Sequence, residues 1–296
     1  MVSQKNYEFA QFDPRPVGRG ANEVIVYGAC DAGLLGIEVT IPQLAEHCEL
    51  GNLDHHGPND TVDTQSAVEQ AVLAELPSEG ATLATVRTDA DSVSAMAVLA
   101  SRLQGRSVNK EIVAAIGRFD RLGPSAGRPT DEVMALARVA ADFKRPLAER
   151  VAFAQAILAG ESDVEDVAAL VDARNAEFEA AREASELTLY ADGRIAVVVS
   201  THRFATNLGY ESAPVVVAFN PEMQVNFRDP GAGTYKKFTI CRYDSNVAVD
   251  ISAALLELGE LESGWGGRGD IGGSPQGVSS KLTLEEVIAV VKRHLK

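Results

Sequence analysis

The chain has 296 residues, 46% hydrophobic and 23% charged, which suits a folded protein with a full core and enough length for two domains. Its formal net charge of −15 argues against a general basic surface for duplex nucleic acid, while a local basic cleft is compatible with it. Cys30, Cys48 and Cys241 form no Cys-x-x-Cys pair, residues 1–20 lack a signal-peptide core, and no apolar run reaches the roughly 20 residues of a membrane helix, so the expectation is a cytoplasmic protein with no disulfide framework, zinc ribbon or membrane partner.

Residues 23–28 read as a short buried strand, and the loop after it carries Asp31, either a metal ligand or a turn acid. Gly28, Gly33 and Gly36 lack the spacing of a dinucleotide fingerprint or a phosphate loop. His47 and Cys48 are expected to pack or cap. Asp54, His55 and His56 then stand together between Gly51 and Gly57, as a loop would present them. Residues 64–76 read as a helix with the stripe Ala67, Val68, Ala71, Val72 and Leu76, stopped by Pro77. Residues 81–87 read as a strand that delivers Asp89 and Asp91 at its carboxyl end, where α/β ligand sites lie. Ser92 is the expected cap of the next helix, whose core side is Val93, Met96, Leu99, Ala100 and Leu103.

A helix is predicted over 110–119, with Asp120 just beyond it as a third acidic ligand or as the partner of Arg118 or Arg121. Residues 131–186 form a helical region with breaks near Pro146 and Gly160. Strands are predicted at 195–199, 214–219 and 237–242, and helices at 249–258 and 283–295. Residues 264–274 hold six glycines in eleven and read as a loop: either a flexible connector or a backbone that approaches an anion through Gly266, Gly267 and Gly269, with Arg242 and Arg268 as a guanidinium fork. The expected architecture is α/β in two domains. Residues 1–186 would be a parallel-sheet metal-site domain with a helical connector, and 187–296 a smaller substrate-binding domain with a mixed sheet.

Carboxylates with imidazoles suit Mn²⁺, Fe²⁺ or Zn²⁺, and two such ions about 3.5–4 Å apart can activate water against a phosphate ester. His55, Asp89 and Asp91 are the expected ligands, with Asp120 and Asp31 as candidates. His56 would then touch the phosphate, and Asp54 would bind metal or orient a histidine.

At these residues the chain resembles the DHH phosphoesterase superfamily. Asp54-His55-His56 matches the name motif, Ser66-Ala67-Val68-Glu69 resembles the helix after it, and Thr88-Asp89-Ala90-Asp91-Ser92 looks like the family's first motif. Residues 238–242 and 264–273 resemble the substrate-binding half of its C-terminal domain. The resemblance implies an N-terminal α/β domain with a dinuclear, usually manganese, site, and a C-terminal domain that binds substrate through a glycine-rich loop, with the active site in the cleft between them. Three features depart from the family. The Asp-x-Asp motif follows the Asp-His-His motif instead of preceding it, Thr85 stands where a histidine is expected, and the glycine-rich run lacks its histidine.

The expected function is therefore a phosphohydrolase using Mn²⁺ or Mg²⁺, as one ion or two, on a nucleotide, short oligonucleotide or other small phosphate ester. Homodimerisation is left open. The alternatives are a relative that binds a nucleotide or phosphorylated metabolite without hydrolysis, and a metal-dependent hydrolase of non-phosphate esters or amides.

Overall fold

A computed structural model describes residues 6–12, 32–56, 63–225, 230–243, 246–267 and 269–296. The predicted strand at 23–28, Cys30, Asp31, Gly57 and Arg268 lie outside the described residues. The chain divides into two compact units, Met1–Arg174 and Asn175–Lys296.

In the first unit, strands β1 (Glu8–Gln11), β2 (Leu34–Ile37), β3 (Asn52–Leu53) and β4 (Thr82–Thr85) form a sheet in the order β1-β4-β2-β3, with every pairing parallel. All four residues of β2 and all four of β4 are buried, as a parallel sheet covered on both faces requires. Helices α1 (Pro42–Ala45), α2 (Ala67–Leu73), α3 (Ala90–Leu103), α4 (Lys110–Leu122), α5 (Asp131–Ala140), α6 (Leu147–Ala159) and α7 (Val164–Glu183) accompany it, and the division between units falls within α7. Every residue of α3 from Ala90 to Ser101 is buried. A helix of this kind is enclosed on all sides, so its periodic stripe of large residues is only part of the face it hides.

Several boundaries differ from those read in the sequence. α2 is shorter than 64–76 because Ser66 and Glu69 make a capping box at its start and Ala74 is extended at its end. α4 runs on to Leu122, closed by Gly123 at φ 53°, so Asp120 lies in the last turn of a helix and not after it. The breaks near Pro146 and Gly160 are present: Pro146 is the N-cap of α6, and Gly160 ends it in the left-handed conformation. The strands β1, β2 and β3 were not read from sequence, being only two to four residues long.

The second unit has six strands, β5 (Glu186–Tyr190), β6 (Ile195–Val199), β7 (Val215–Gln224), β8 (Thr234–Arg242), β9 (Gly266–Gly267) and β10 (Ile271–Gly273), in the order β5-β6-β7-β8-β10-β9. Among the described residues only β6 and β7 pair in parallel, so the sheet is mixed. Alternation divides its faces. Val215, Val217, Phe238 and Ile240 pack with helices α9 (Ile251–Leu261) and α10 (Leu284–Arg293). Val216, Ala218 and Cys241 share the other face with Ala205 of α8 (Ala205–Tyr210).

The glycine-rich run predicted as a loop is in fact a hairpin at the sheet edge, formed by β9 and β10. A Cβ on Gly272 would lie 2.3 Å from Leu255 Cδ1, and one on Gly273 would lie 2.2 Å from the Phe238 carbonyl oxygen. These glycines let two pieces of backbone and one leucine meet, which strand propensity alone does not reveal. Cys48 and Cys241 are buried free thiols, and no described helix is long and apolar enough to cross a membrane.

Candidate metal centre

Three strand ends and one helix end supply the candidate site. β2 finishes at Ile37, and the next residue, Glu38, takes a left-handed backbone with φ 52° while its side chain is buried. Its N–H donates to the Leu53 carbonyl at 2.9 Å, tying the end of β2 to the end of β3. β3 is followed directly by Asp54, His55 and His56. After β4 the chain turns through Thr88 into α3. Arg150 of α6, itself buried, pins that turn by donating from Nη1 to Thr88 Oγ1 and to the Ala140 carbonyl, both at 2.8 Å.

The cap of α3 is Asp89, not Ser92. The Asp89 carboxylate accepts from the Ser92 N–H at 3.0 Å, and the Ser92 hydroxyl oxygen accepts from the Asp89 N–H at 3.1 Å. A serine at the third helical position completes a capping box; an acid with extended backbone begins it. Asp91, two residues further, is fully buried. Its Oδ1 accepts from Ser66 Oγ at 2.8 Å and from the Val68 N–H at 3.1 Å, and its Oδ2 accepts from the Ala67 N–H at 2.7 Å. Asp91 therefore lies at the N-terminus of α2, where donors and dipole favour an anion.

His55 Nε2 is 2.8 Å from Asp120 Oδ2 and 3.3 Å from Glu38 Oε1. His56 Nδ1 is 3.0 Å from Asp54 Oδ1, and the same oxygen accepts the His56 backbone N–H at 3.0 Å. The Glu38 oxygen lies 3.7 Å from His56 Nδ1, and the two imidazole rings are 4.3 Å apart. Of the two ring systems, His55 is buried and His56 reaches solvent. Arg121 Nη2 meets Glu69 Oε1 at 3.2 Å, and the Asp120 carboxylate meets His55.

The titrations follow from this crowding. Burial pushes the Glu38 carboxyl up to about 9; the hydrogen bond from His55 opposes this, and the charges of Asp89, Asp91 and Asp120 add to it. Burial, with Asp120 nearby, raises Asp91 to about 7 against the hydrogen bonds from Val68 and Ser66. Burial alone would lower His55, but Asp120 and Glu38 outweigh it and carry the imidazole up to about 10. Burial would raise Asp54; its bonds with His56 hold it below the usual carboxylate range.

One donor atom each from Glu38, His55, Asp91 and Asp120 lies within 4.8 Å of all the others. Opposite ligands of a dication with bonds of about 2.1 Å stand about 4.2 Å apart, so the cluster is close to coordination size as it stands. Oxygen and imidazole donors suit Mn²⁺, Fe²⁺ or Zn²⁺. A dication would also neutralise carboxylates whose charge burial opposes. The residues present thus fit a divalent metal.

Of the residues singled out in the sequence, the structure brings His55, Asp91 and Asp120 into this cluster and sets Asp54 with His56 beside it. Asp89 caps α3 and is not one of the four donors. Arg242, at the end of β8, donates from Nη1 to the Val247 and Val249 carbonyls at 3.2 Å each, securing the segment before α9. Gly266 and Gly267 are β9, and Gly269 is exposed beyond it. Glu38 was missed. The available signal was an acid closing the apolar run Leu34-Leu35-Gly36-Ile37, a strand too short to stand out.

No protein-family profile and no curated protein matches the sequence. Among solved structures the chain is similar to PggH, a pGpG-specific phosphodiesterase from Vibrio cholerae, at 11% identity over 98% of this chain and 97% of that one, with a TM-score of 0.44. It is also similar to an exopolyphosphatase-related protein from Bacteroides fragilis, at 11% identity over 82% of this chain and 62% of that one, with a TM-score of 0.34. The segment that leaves β3, Asp54-His55-His56, sets His55 against the Glu38 and Asp120 carboxylates and His56 against the Asp54 side chain.

Proposed function

We propose that this chain is a divalent-metal-dependent phosphohydrolase acting on a nucleotide, short oligonucleotide or other small phosphate ester, with manganese or magnesium as its ion. The observation that carries the reading is the set of buried Glu38, His55 and Asp91 with half-buried Asp120, whose donor atoms converge within 4.8 Å at the carboxyl ends of a parallel sheet. These four residues would hold the cation. When bound, it supplies a water of lowered pKa and charge stabilisation for the phosphate oxygens.

His56 is the proton-transfer residue of the proposal. The Asp54 carboxylate takes the Nδ1–H, fixing the tautomer in which Nε2 accepts a proton. Because His56 is more exposed than His55, it can meet an attacking water and later return the proton to the leaving oxygen. Asp54 is a positioning residue, acting through His56.

The test is phosphate or nucleotide release with and without Mn²⁺ across short oligonucleotides, a bisphosphorylated nucleotide, cyclic dinucleotides and pyrophosphate. Mn²⁺-dependent turnover is expected, and Glu38→Gln and Asp120→Asn should each reduce kcat by about a hundredfold or more, the scale of losing a metal-site group. Full turnover in both variants would rule out this cluster as the reaction centre.

One observation favours a second reading, a binding protein without hydrolysis. Asp91 already accepts three hydrogen bonds within the chain, and the hydroxyl of Thr85, a fully buried residue, is bonded to the Arg87 backbone. On that reading Mn²⁺ and nucleotide stabilise the folded chain and no product appears.

A further inference from the structure

The second unit contains a cavity that neither the glycine-rich hairpin nor Arg242 explains. Its floor follows from strand alternation. Opposite residues of β7 and β8 pair as Val216 with Cys241, Ala218 with Thr239, and Asn220 with Lys237, so all six share the face toward α8. α8 is only six residues long and sits at the Val216 end, where a Cβ on Gly209 would be 2.5 Å from Val216 Cγ1. Past the end of α8 the face is left as a cavity of about 530 Å³. Ala218 and Thr239 are small, which deepens it. Asn220 and Lys237 stand at its far side, and Thr201, His202 and Arg203 wall it after β6.

The lining carries more basic than acidic side chains. In a chain of net charge −15, it gathers a lysine, an arginine and a histidine, and its one carboxylate, Glu222, is exposed. Arg203 and His202 are partly committed: Arg203 Nη2 pairs with Glu177 at 2.7 Å, His202 Nε2 lies 4.0 Å from the same carboxylate, and His202 Nδ1 accepts the Phe204 N–H. Lys237 is different. It is half-buried, donates to the Ser274 carbonyl, and pairs with no carboxylate among the described residues. An ammonium has three donors, so two remain for a ligand. Burial pulls its pKa down, the mark of a cation lacking its counter-charge. The volume falls within the roughly 300–1,000 Å³ of small-molecule sites and far exceeds the needs of a bare phosphate.

We infer that this cavity is a binding site for a phosphate ester of mononucleotide size, with Lys237 receiving the phosphate and Thr201, Thr239 and Asn220 supplying neutral hydrogen bonds. That the anion is a phosphate rests on the proposed function; the cavity, its cations and the uncompensated Lys237 do not.

The experiment is calorimetric titration of the full chain with adenosine 5′-monophosphate in EDTA, with adenosine as the uncharged control. The nucleotide should bind, and adenosine about tenfold or more weakly, the scale of one charge-assisted hydrogen bond. Lys237→Met should weaken the nucleotide by a similar factor. Asn220→Asp, which places a carboxylate opposite Lys237 in the register and leaves the core untouched, should do the same at an unchanged melting temperature; it decides the matter if Lys237→Met fails to fold. No nucleotide binding by the wild type, equal binding of adenosine, or wild-type affinity in the folded variants would overturn the inference. Mn²⁺-dependent turnover of the earlier panel without any Lys237 effect removes this site and keeps the hydrolase, whereas a Lys237 effect without turnover does the reverse.

Discussion

Glu38 sets the behaviour of the cluster when no metal is bound. Its carboxyl titrates near 9 in the folded chain against about 4.5 in the unfolded one, so folding takes up a proton across that interval. A raised pKa contributes stability that is complete below the unfolded value and is lost as pH rises through the folded one. His55, raised to about 10, and Asp91, raised to about 7, act in the same direction. Asp54, held low, acts oppositely but only in acid. In EDTA the unfolding free energy should therefore fall between pH 6 and pH 9, by up to about 1.4 kcal/mol per pH unit for each proton involved. With saturating Mn²⁺ the slope should reverse, because the ion displaces those protons. Urea melts at three pH values with and without Mn²⁺ read this directly, and Glu38→Gln should flatten the metal-free slope. A metal-free slope that rises with pH would contradict the assignment.

Among the elements, α2 and α4 are joined by one glutamate. Glu69 accepts the Ser66 N–H at 3.0 Å to cap α2 and meets Arg121 at 3.2 Å on α4, and it can lie there only because residue 117 has no side chain. A Cβ on Gly117 would be 2.6 Å from Glu69 Cδ. Gly117→Ala should destabilise the chain by about 1–3 kcal/mol despite the better helix propensity of alanine. Adding Glu69→Ala should recover part of that loss, since the two changes share one space. Denaturation of the two single variants and the double variant gives the coupling; strict additivity would mean that Glu69 does not occupy the place of the missing side chain. The same elements show what the sequence could reveal. The breaks at Pro146 and Gly160, and β6, were legible because proline, glycine and a run of β-branched residues act locally; the start of α3 was read three residues late, at Ser92 instead of Asp89. β2 was not, having four residues interrupted by Gly36. Nor was the hairpin of β9 and β10, where glycine reports a close approach made by Leu255 and Phe238 from elsewhere in the chain.

For the whole molecule, the α/β class and the change of character in the C-terminal part could be read from composition and periodicity. The convergence of Glu38, His55, Asp91 and Asp120 could not, because it depends on the parallel order β1-β4-β2-β3, which is set by long-range pairing. The first-unit location of all four donors makes a regional prediction. Mn²⁺ at about one hundred times its Kd should stabilise the unit it binds by about 2.7 kcal/mol. Amide exchange should slow in β2, β3 and the first turn of α3, and stay unchanged in β5 to β8. Protection confined to the second unit would place the ion elsewhere.

Glu38 also holds a conformation that glutamate disfavours and glycine adopts without strain. A library randomised at this one position should divide according to what is rewarded. Sorting for resistance to heat in chelator should enrich glycine, which relieves both the backbone and the buried acid. Sorting for turnover should return glutamate. Divergence of the two pools at residue 38 would mean that the chain keeps, at the end of its second strand, a residue that its fold alone would discard.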